Sequence, residues 1–144
     1  MSSYPSTVVF TSISETPISI TEHEDLAAHE HMGAVVSFCG VVRNHDGGEQ
    51  VDKLFYEGHP HAPEVLAKIA QDIAGEFDGV RIAISHRVGM LAIGDVALTA
   101  AVASAHRAEG FAACAELVER VKKELPIWKN QYFSDGHTEW VGSL

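Results

Sequence analysis

Short apolar, β-branched stretches alternate with segments of helical periodicity along this chain, and no other sequence feature limits the possible fold as strongly. The clearest stretch, Gly33 to Val42 (GAVVSFCGVV), predicts a buried strand. The longest helical pattern runs from Ala108 to Leu125 and stops at Pro126, a residue that cannot continue a helix. The chain has no apolar run of about 18 residues, so the sequence predicts no membrane-spanning helix.

The other elements follow from the same patterns. Strands are expected at residues 7–11, 51–57, 80–88, 95–103, 128–133 and 138–141, and helices at 21–31 (with a capping box at Thr21) and 60–77. Residues 43–50 (RNHDGGEQ) predict a polar loop. The order β-α-β-β-α-β-β-α-β-β, with several hairpins, predicts an α+β fold with an antiparallel or mixed sheet. Without repeats or linkers, 144 residues are expected to form one domain, 1–144.

The net charge of −10 argues against a nucleic-acid-binding or anionic-membrane surface. No lysine or arginine precedes Arg43, so an anion site has to draw on Arg43 and on the basic residues of the last third. The first ten residues lack the features of a secretory signal, and a cytoplasmic protein is expected. Cys39 and Cys114 lie in apolar stretches and are expected to be buried free thiols.

One lysine interrupts the apolar stripe of the long helix. The stripe consists of Phe111, Cys114, Val118, Val121 and Leu125. At about 100° per residue, Lys122 lies only about 40° from Val118. Either Lys122 extends to solvent near the helix C-terminus, where the dipole favours cations, or it is a pocket lysine. Lys129 follows Pro126, where the chain can turn back and bring both amines to one cleft; the alternative is a solvated lysine at a strand start.

Two further segments are candidate anion sites. Ser104-Ala105-His106-Arg107 lies at a strand-to-helix junction, where backbone N–H groups and an arginine suit a phosphate, although Ser104 or His106 could simply cap the helix. Arg43-Asn44-His45 follows a buried strand, at a cleft edge or in a solvated loop. The pairs His29/His31 and His59/His61 form no zinc motif, and no metal site is predicted.

Several segments together resemble the molybdopterin synthase catalytic (large) subunit family in order and spacing, from about Gly33 to Val141. They are Gly33 to Phe38 leading to Gly40, Val42-Arg43-Asn44-His45, His86-Arg87-Val88-Gly89, Ile93-Gly94-Asp95, Ser104-Ala105-His106-Arg107, and Lys122 with Pro126-Ile127-Trp128-Lys129. The chain departs from the family at His59-Pro60, where relatives often have an aromatic residue before the proline.

The resemblance implies an α/β hammerhead with an additional antiparallel β-sheet subdomain. It also implies a homodimer within a heterotetramer, with a small ubiquitin-like subunit at each far end. That partner ends in a Gly-Gly thiocarboxylate, and two such sulfurs convert cyclic pyranopterin monophosphate into molybdopterin without a further cofactor. The present chain ends in Gly142-Ser143-Leu144 and is therefore not expected to be the sulfur carrier.

The resemblance also assigns roles to individual residues. Lys122 and Lys129 match the two active-site lysines, and Arg43 matches a pocket arginine. His106 and Arg107 match a pair that reaches the substrate phosphate from the other protomer, and Phe38 matches an aromatic residue near the pocket. Two rival functions remain: a non-catalytic pterin- or nucleotide-binding module, which keeps Arg43 and Arg107 but has no need of Lys122, and a scaffold that binds a ubiquitin-like domain.

Overall fold

The computed structural model describes residues 4–141, which form two β-sheets and three helices. In chain order the elements are β1 (Thr7–Ser14), α1 (Ile20–Ala27), β2 (Ala34–Val41), β3 (His45–Asp46), β4 (Glu49–Gly58), α2 (Ala62–Glu76), β5 (Arg81–Arg87), β6 (Gly89–Ala92), β7 (Val96–Ser104), α3 (Arg107–Glu124), β8 (Ile127–Phe133) and β9 (Thr138–Val141). The prediction that rests on Gly142-Ser143-Leu144, and the part of the signal prediction that rests on residues 1–3, lie outside the described residues.

The first sheet has the strand order β1-β5-β7-β2 and carries helices on both faces. β1 and β5 are parallel, while the other two pairs are antiparallel. Ile82, Ile84 and Val102 belong to the main core together with α2 and α3. The alternate residues of the same strands are alanines such as Ala83 and Ala101, which cluster with Ala27 of α1 on the opposite face.

The second sheet has the order β3-β4-β8-β9, and its strand pairs are antiparallel. β6 pairs with the middle of β4, along residues Lys53 to Tyr56. β8 and β9 form the hairpin predicted around Asp135-Gly136. The α+β prediction is therefore confirmed: an α/β hammerhead carries an additional antiparallel sheet. Within residues 4–141, no helix is both long and apolar enough to cross a membrane.

The end of α3 lies close to its expected boundary, whereas both ends of the first helix differ from the expected ones. α3 ends at Glu124, one residue before the expected end at Leu125, and Pro126 follows the C-cap residue Leu125 before β8 starts at Ile127. The prediction of a first helix from Thr21 to His31 is wrong at both ends. The Ser19 side chain accepts a hydrogen bond from the Glu22 backbone N–H at 3.2 Å and caps the helix there, and Ala28 is already extended.

Other predictions are also corrected. Residues 43–50 are not a simple loop, because β3 pairs with the start of β4 across Gly47-Gly48, and β6 was not expected. Cys39 is exposed, since it belongs to the outward-facing residues of the edge strand β2, whereas Cys114 is buried as expected. Phe111 is 59% exposed, because the buried face of α3 consists instead of Gly110, Ala113, Cys114, Leu117, Val118 and Val121.

A cationic cavity between the two sheets

A cavity of about 230 Å³ lies where the two sheets meet the last turn of α3. Its polar lining combines three cations with neutral hydrogen-bonding groups. The lining residues are Gly40, Val41, Val42, Arg43, His45, Leu54, Tyr56, His86, Ala97, Leu98, Lys122, Lys129 and Gln131. The cavity therefore draws on β2, β3, β4, β5, β7, α3 and β8, which come from many different parts of the sequence.

The two lysines reach the cavity from either side of Pro126. Lys122 lies in the last turn of α3, where the helix dipole favours a cation, and its side chain is exposed. Lys129 lies in β8 opposite Tyr56 and is half-buried. The expectation that both amines share one cleft is confirmed by this geometry.

The surroundings of Lys129 make its ammonium form less stable than that of a fully solvated lysine. Its pKa is lowered from the usual 10.5, chiefly because the side chain is partly buried. Asp46 opposes this shift, whereas the positive charges of Lys122 and Arg43 add to it. These opposing influences show that the three cations and one carboxylate form a single electrostatic cluster.

Arg43 occupies the cavity edge directly after β2. Its guanidinium lies 3.4 Å from the Asp46 carboxylate; the Arg43 side chain is largely open to solvent and that of Asp46 is partly open. Exposed ion pairs of this kind contribute little to stability. The guanidinium is therefore free to turn toward an incoming anion at small energetic cost.

His86 forms part of the cavity wall and was not singled out by the sequence reasoning beyond its place in the His86-Arg87-Val88-Gly89 segment. It is 2% exposed, and its Nδ1 lies 2.6 Å from the Arg87 carbonyl oxygen, which accepts the hydrogen bond. The Tyr56 ring contacts it edge-on, at 5.1 Å between centroids. Burial lowers the pKa of His86 to about 4; the Arg87 hydrogen bond opposes the shift and the charge of Lys122 adds to it.

Three of the predicted site residues do not line this cavity. Phe38 packs against the main core, and its ring closely approaches Gly40, which is itself a cavity residue. His106 and Arg107 are exposed at the start of α3. At 1.5 Å per residue, Arg107 lies about 22 Å along the helix from Lys122, so one chain does not bring these groups together.

A separate polar cluster lies at the β8–β9 turn. Glu49, Asp135 and His137 place potential metal-ligand atoms within 4.8 Å of one another, and all three residues are exposed. Hydrogen bonds to Asp135 and Glu139 raise the pKa of His137 above its usual value, which favours the imidazolium form over a metal ligand. The expectation of no metal stays a prediction.

Two sheets that enclose a cavity with two lysines are the arrangement that the family resemblance in the sequence implies. The family model described as "MoaE protein" matches residues 13–124. The chain belongs to this family.

Individual relatives agree with this assignment. The molybdopterin synthase catalytic subunit of Halalkalibacterium halodurans is 41% identical over 131 residues, which cover 90% of this chain and 83% of that protein. Catalytic subunit 1 of Mycobacterium tuberculosis is 38% identical, over 90% of this chain and 88% of the relative. The crystal structure of molybdopterin synthase from Staphylococcus aureus superposes with a TM-score of 0.85 at 36% identity, covering 92% of this chain and 96% of that one.

Proposed function

We propose that this chain catalyses the sulfur-transfer step that converts cyclic pyranopterin monophosphate into molybdopterin. The sulfur comes from the C-terminal Gly-Gly thiocarboxylate of a small ubiquitin-like partner subunit. The observation that carries the proposal is the convergence of Lys122, Lys129 and Arg43 on one cavity in a chain whose net charge is −10. Both the substrate phosphate and the thiocarboxylate are anions, and an acidic protein has to gather cations locally to hold them.

The two lysines suit different parts of the reaction. Lys122, the exposed lysine of the cavity, pairs with the incoming thiocarboxylate and assists proton transfer as the acyl carbon loses its sulfur to the substrate and water replaces it. Lys129 is deeper, and the cluster of positive charge around it stabilises negative charge that develops on the pterin as its ring opens. Arg43 clamps phosphate with its planar pair of N–H donors.

The size of the cavity supports a site completed by other chains. About 230 Å³ falls below the ~300–1,000 Å³ typical of small-molecule sites. We therefore propose that a second copy of this chain supplies His106 and Arg107 to the phosphate, and that Phe38 supports the pocket through Gly40. In this arrangement two copies of the chain form a dimer, and each binds one small subunit to give a heterotetramer.

We also propose that residues 1–144 form one domain and act in the cytoplasm, without a metal or further cofactor.

Reconstitution tests this function directly. Purified chain, thiocarboxylated partner and cyclic pyranopterin monophosphate are incubated, and mass spectrometry measures the sulfur added to the pterin. We expect a product that carries two sulfurs and a partner that has become a carboxylate. Pterin binding without sulfur transfer would instead support the non-catalytic module, and partner binding without pterin binding would support the scaffold.

A further inference from the structure

The mechanism above leaves one buried cavity group unused, the imidazole of His86. Its Nδ1 donates to the Arg87 carbonyl oxygen at 2.6 Å, so the neutral ring carries its lone pair on Nε2. Within residues 4–141, Nε2 has no hydrogen-bond partner. It keeps some contact with solvent, because the unpartnered side-chain atoms that are fully buried belong to other residues. Since the ring lines the cavity, Nε2 is the nitrogen that a ligand can reach.

The surroundings keep this ring uncharged. It is almost completely buried, and Lys122 repels a proton on it, which agrees with the lowered pKa described above. The polar and charged groups that share the cavity with it are Arg43 after β2, His45 on β3, Tyr56 on β4, Lys122 on α3, and Lys129 and Gln131 on β8. A neutral imidazole fixed between cations can accept a hydrogen bond, whereas the ammonium and guanidinium groups beside it can only donate.

We propose that His86 contacts the substrate directly and that its Nε2 accepts a hydrogen bond from an N–H or O–H group of the heterocycle bound beside Lys122 and Lys129. This inference rests on the proposed function and adds a specificity determinant to it. The three cations attract any small anion, including inorganic phosphate. An acceptor fixed by a backbone hydrogen bond additionally requires a donor on the ligand, and a site built around such a bond discriminates strongly against ligands that lack it.

Three substitutions separate this role from a structural one. His86→Phe keeps a flat ring and removes both nitrogens. His86→Asn keeps a donor near the Arg87 carbonyl and loses the group that reaches the cavity, so it carries the test if the phenylalanine variant does not fold. His86→Gln places an amide near the position of Nε2 and serves as the conservative control. Circular dichroism and thermal melting establish that each variant is folded.

Calorimetric titration with cyclic pyranopterin monophosphate, and separately with inorganic phosphate, gives the decisive comparison. We expect the pterin Kd to rise about tenfold in the phenylalanine and asparagine variants and by less than about threefold in the glutamine variant, since losing one hydrogen bond to a buried group has roughly this effect. Phosphate binding should be the same in all four proteins, because the cations are untouched.

Unchanged pterin affinity in the folded variants, or a parallel loss of pterin and phosphate binding, would overturn the inference. The comparison uses binding alone, so its result is separate from that of the reconstitution. If the wild-type protein binds the pterin but adds no sulfur to it, the proposed function fails and the role of His86 as an acceptor is still decided. If the wild-type protein binds no pterin, both proposals fail.

Discussion

Neighbouring lysines in α3 have different positions relative to the cavity. Lys122 lines it, whereas Lys123, one residue later, is exposed and does not. Both lie in the last turn of the helix and therefore interact similarly with the helix dipole. The pair offers a matched comparison in which charge and helix context are held constant and only access to the cavity changes.

Lys122→Ala should lower the rate of sulfur transfer by on the order of 10²–10³-fold, the effect of removing one charge-stabilising group from a preorganised site. Lys123→Ala should leave the rate within about twofold, because rim and surface charges act mainly through long-range steering. The measurement is product formation by mass spectrometry under single-turnover conditions. Equal rates for the two variants would contradict a catalytic role for Lys122.

His86 should make the stability of the protein depend on pH below neutrality. The unfolded chain protonates this histidine as the pH falls through 6.5, whereas the folded protein resists until about 4. The unfolded state therefore binds more protons in this window, so folding stability falls from pH 6.5 to 4 and the loss is complete below that. The contribution is on the order of 3 kcal/mol.

Urea unfolding at pH 7 and at pH 4.5 checks this expectation. The wild-type protein should lose more stability between the two pH values than His86→Gln, which cannot titrate, while the other histidines contribute equally to both proteins. Identical losses would show that the folded protein protonates His86 as easily as the unfolded chain.

Residue-level prediction from the sequence succeeded where periodicity carried the information. The near-stripe position of Lys122 and the turn at Pro126 placed two amines in one cavity, as expected. The same periodicity wrongly predicted that Phe111 is buried. Steps of three and four residues fit two overlapping helix faces, and the face that packs on the sheet is the one that contains Gly110. His86 was missed because a histidine inside an apolar strand gives no sign of which nitrogen a ligand can reach.

At the scale of elements, two helical glycines have opposite roles. Gly110 lies where α3 crosses β2 and β7, and a Cβ there would come within 2.8 Å of the Ser104 Oγ and 3.1 Å of Val36. The Ser104 hydroxyl donates to the His106 carbonyl oxygen at 2.6 Å, so it has little freedom to move. Gly75 in α2 has open space around it.

Gly75→Ala should stabilise the protein by up to about 1 kcal/mol, since alanine restricts the unfolded chain and favours the helix. Gly110→Ala should destabilise it by about 1–3 kcal/mol despite the same gain in helix propensity, because the new methyl group displaces α3 from the sheet. Urea unfolding of the two variants gives the comparison. If Gly110→Ala were also stabilising, the close contact between α3 and the sheet would be wrong.

Element prediction was accurate for apolar strands and for α3, whose boundaries depend on hydrophobic pattern and proline. It failed at α1 because a capping box at Thr21 and a single hydroxyl at Ser19 are both plausible starts by sequence, and the structure uses Ser19. β3 and β6 escaped detection because they are short and polar or glycine-containing, and they exist only through pairing with β4.

At the scale of the whole molecule, the site requires two chains if His106 and Arg107 act across a dimer. A mixture of Lys122→Ala and Arg107→Ala chains then contains mixed dimers in which one of the two sites has both residues intact. After denaturation and refolding together, we expect about a quarter of wild-type activity, since about half of the dimers are mixed.

Each variant refolded alone should remain nearly inactive, and wild-type chain treated in the same way provides the reference. If activity does not recover although size-exclusion chromatography shows dimers, then Lys122 and Arg107 do not contribute to one site from different chains. The arrangement of chains was open to prediction only through resemblance, because no pattern within one sequence specifies which surface meets a second copy.

The helix α3 carries Arg107 at its first position and Lys122 in its last turn, eighteen residues in all. In a two-chain site, the length of this helix fixes the distance between the Lys122 amine, which a chain uses in its own site, and the Arg107 guanidinium, which it contributes to the site of its neighbour. Lengthening the helix by one turn would increase this distance by about 5 Å. Because the dimer is symmetric, the change would affect both sites. Aligned homologues should accordingly vary in their turns, such as that between β8 and β9, yet show no insertions or deletions within α3.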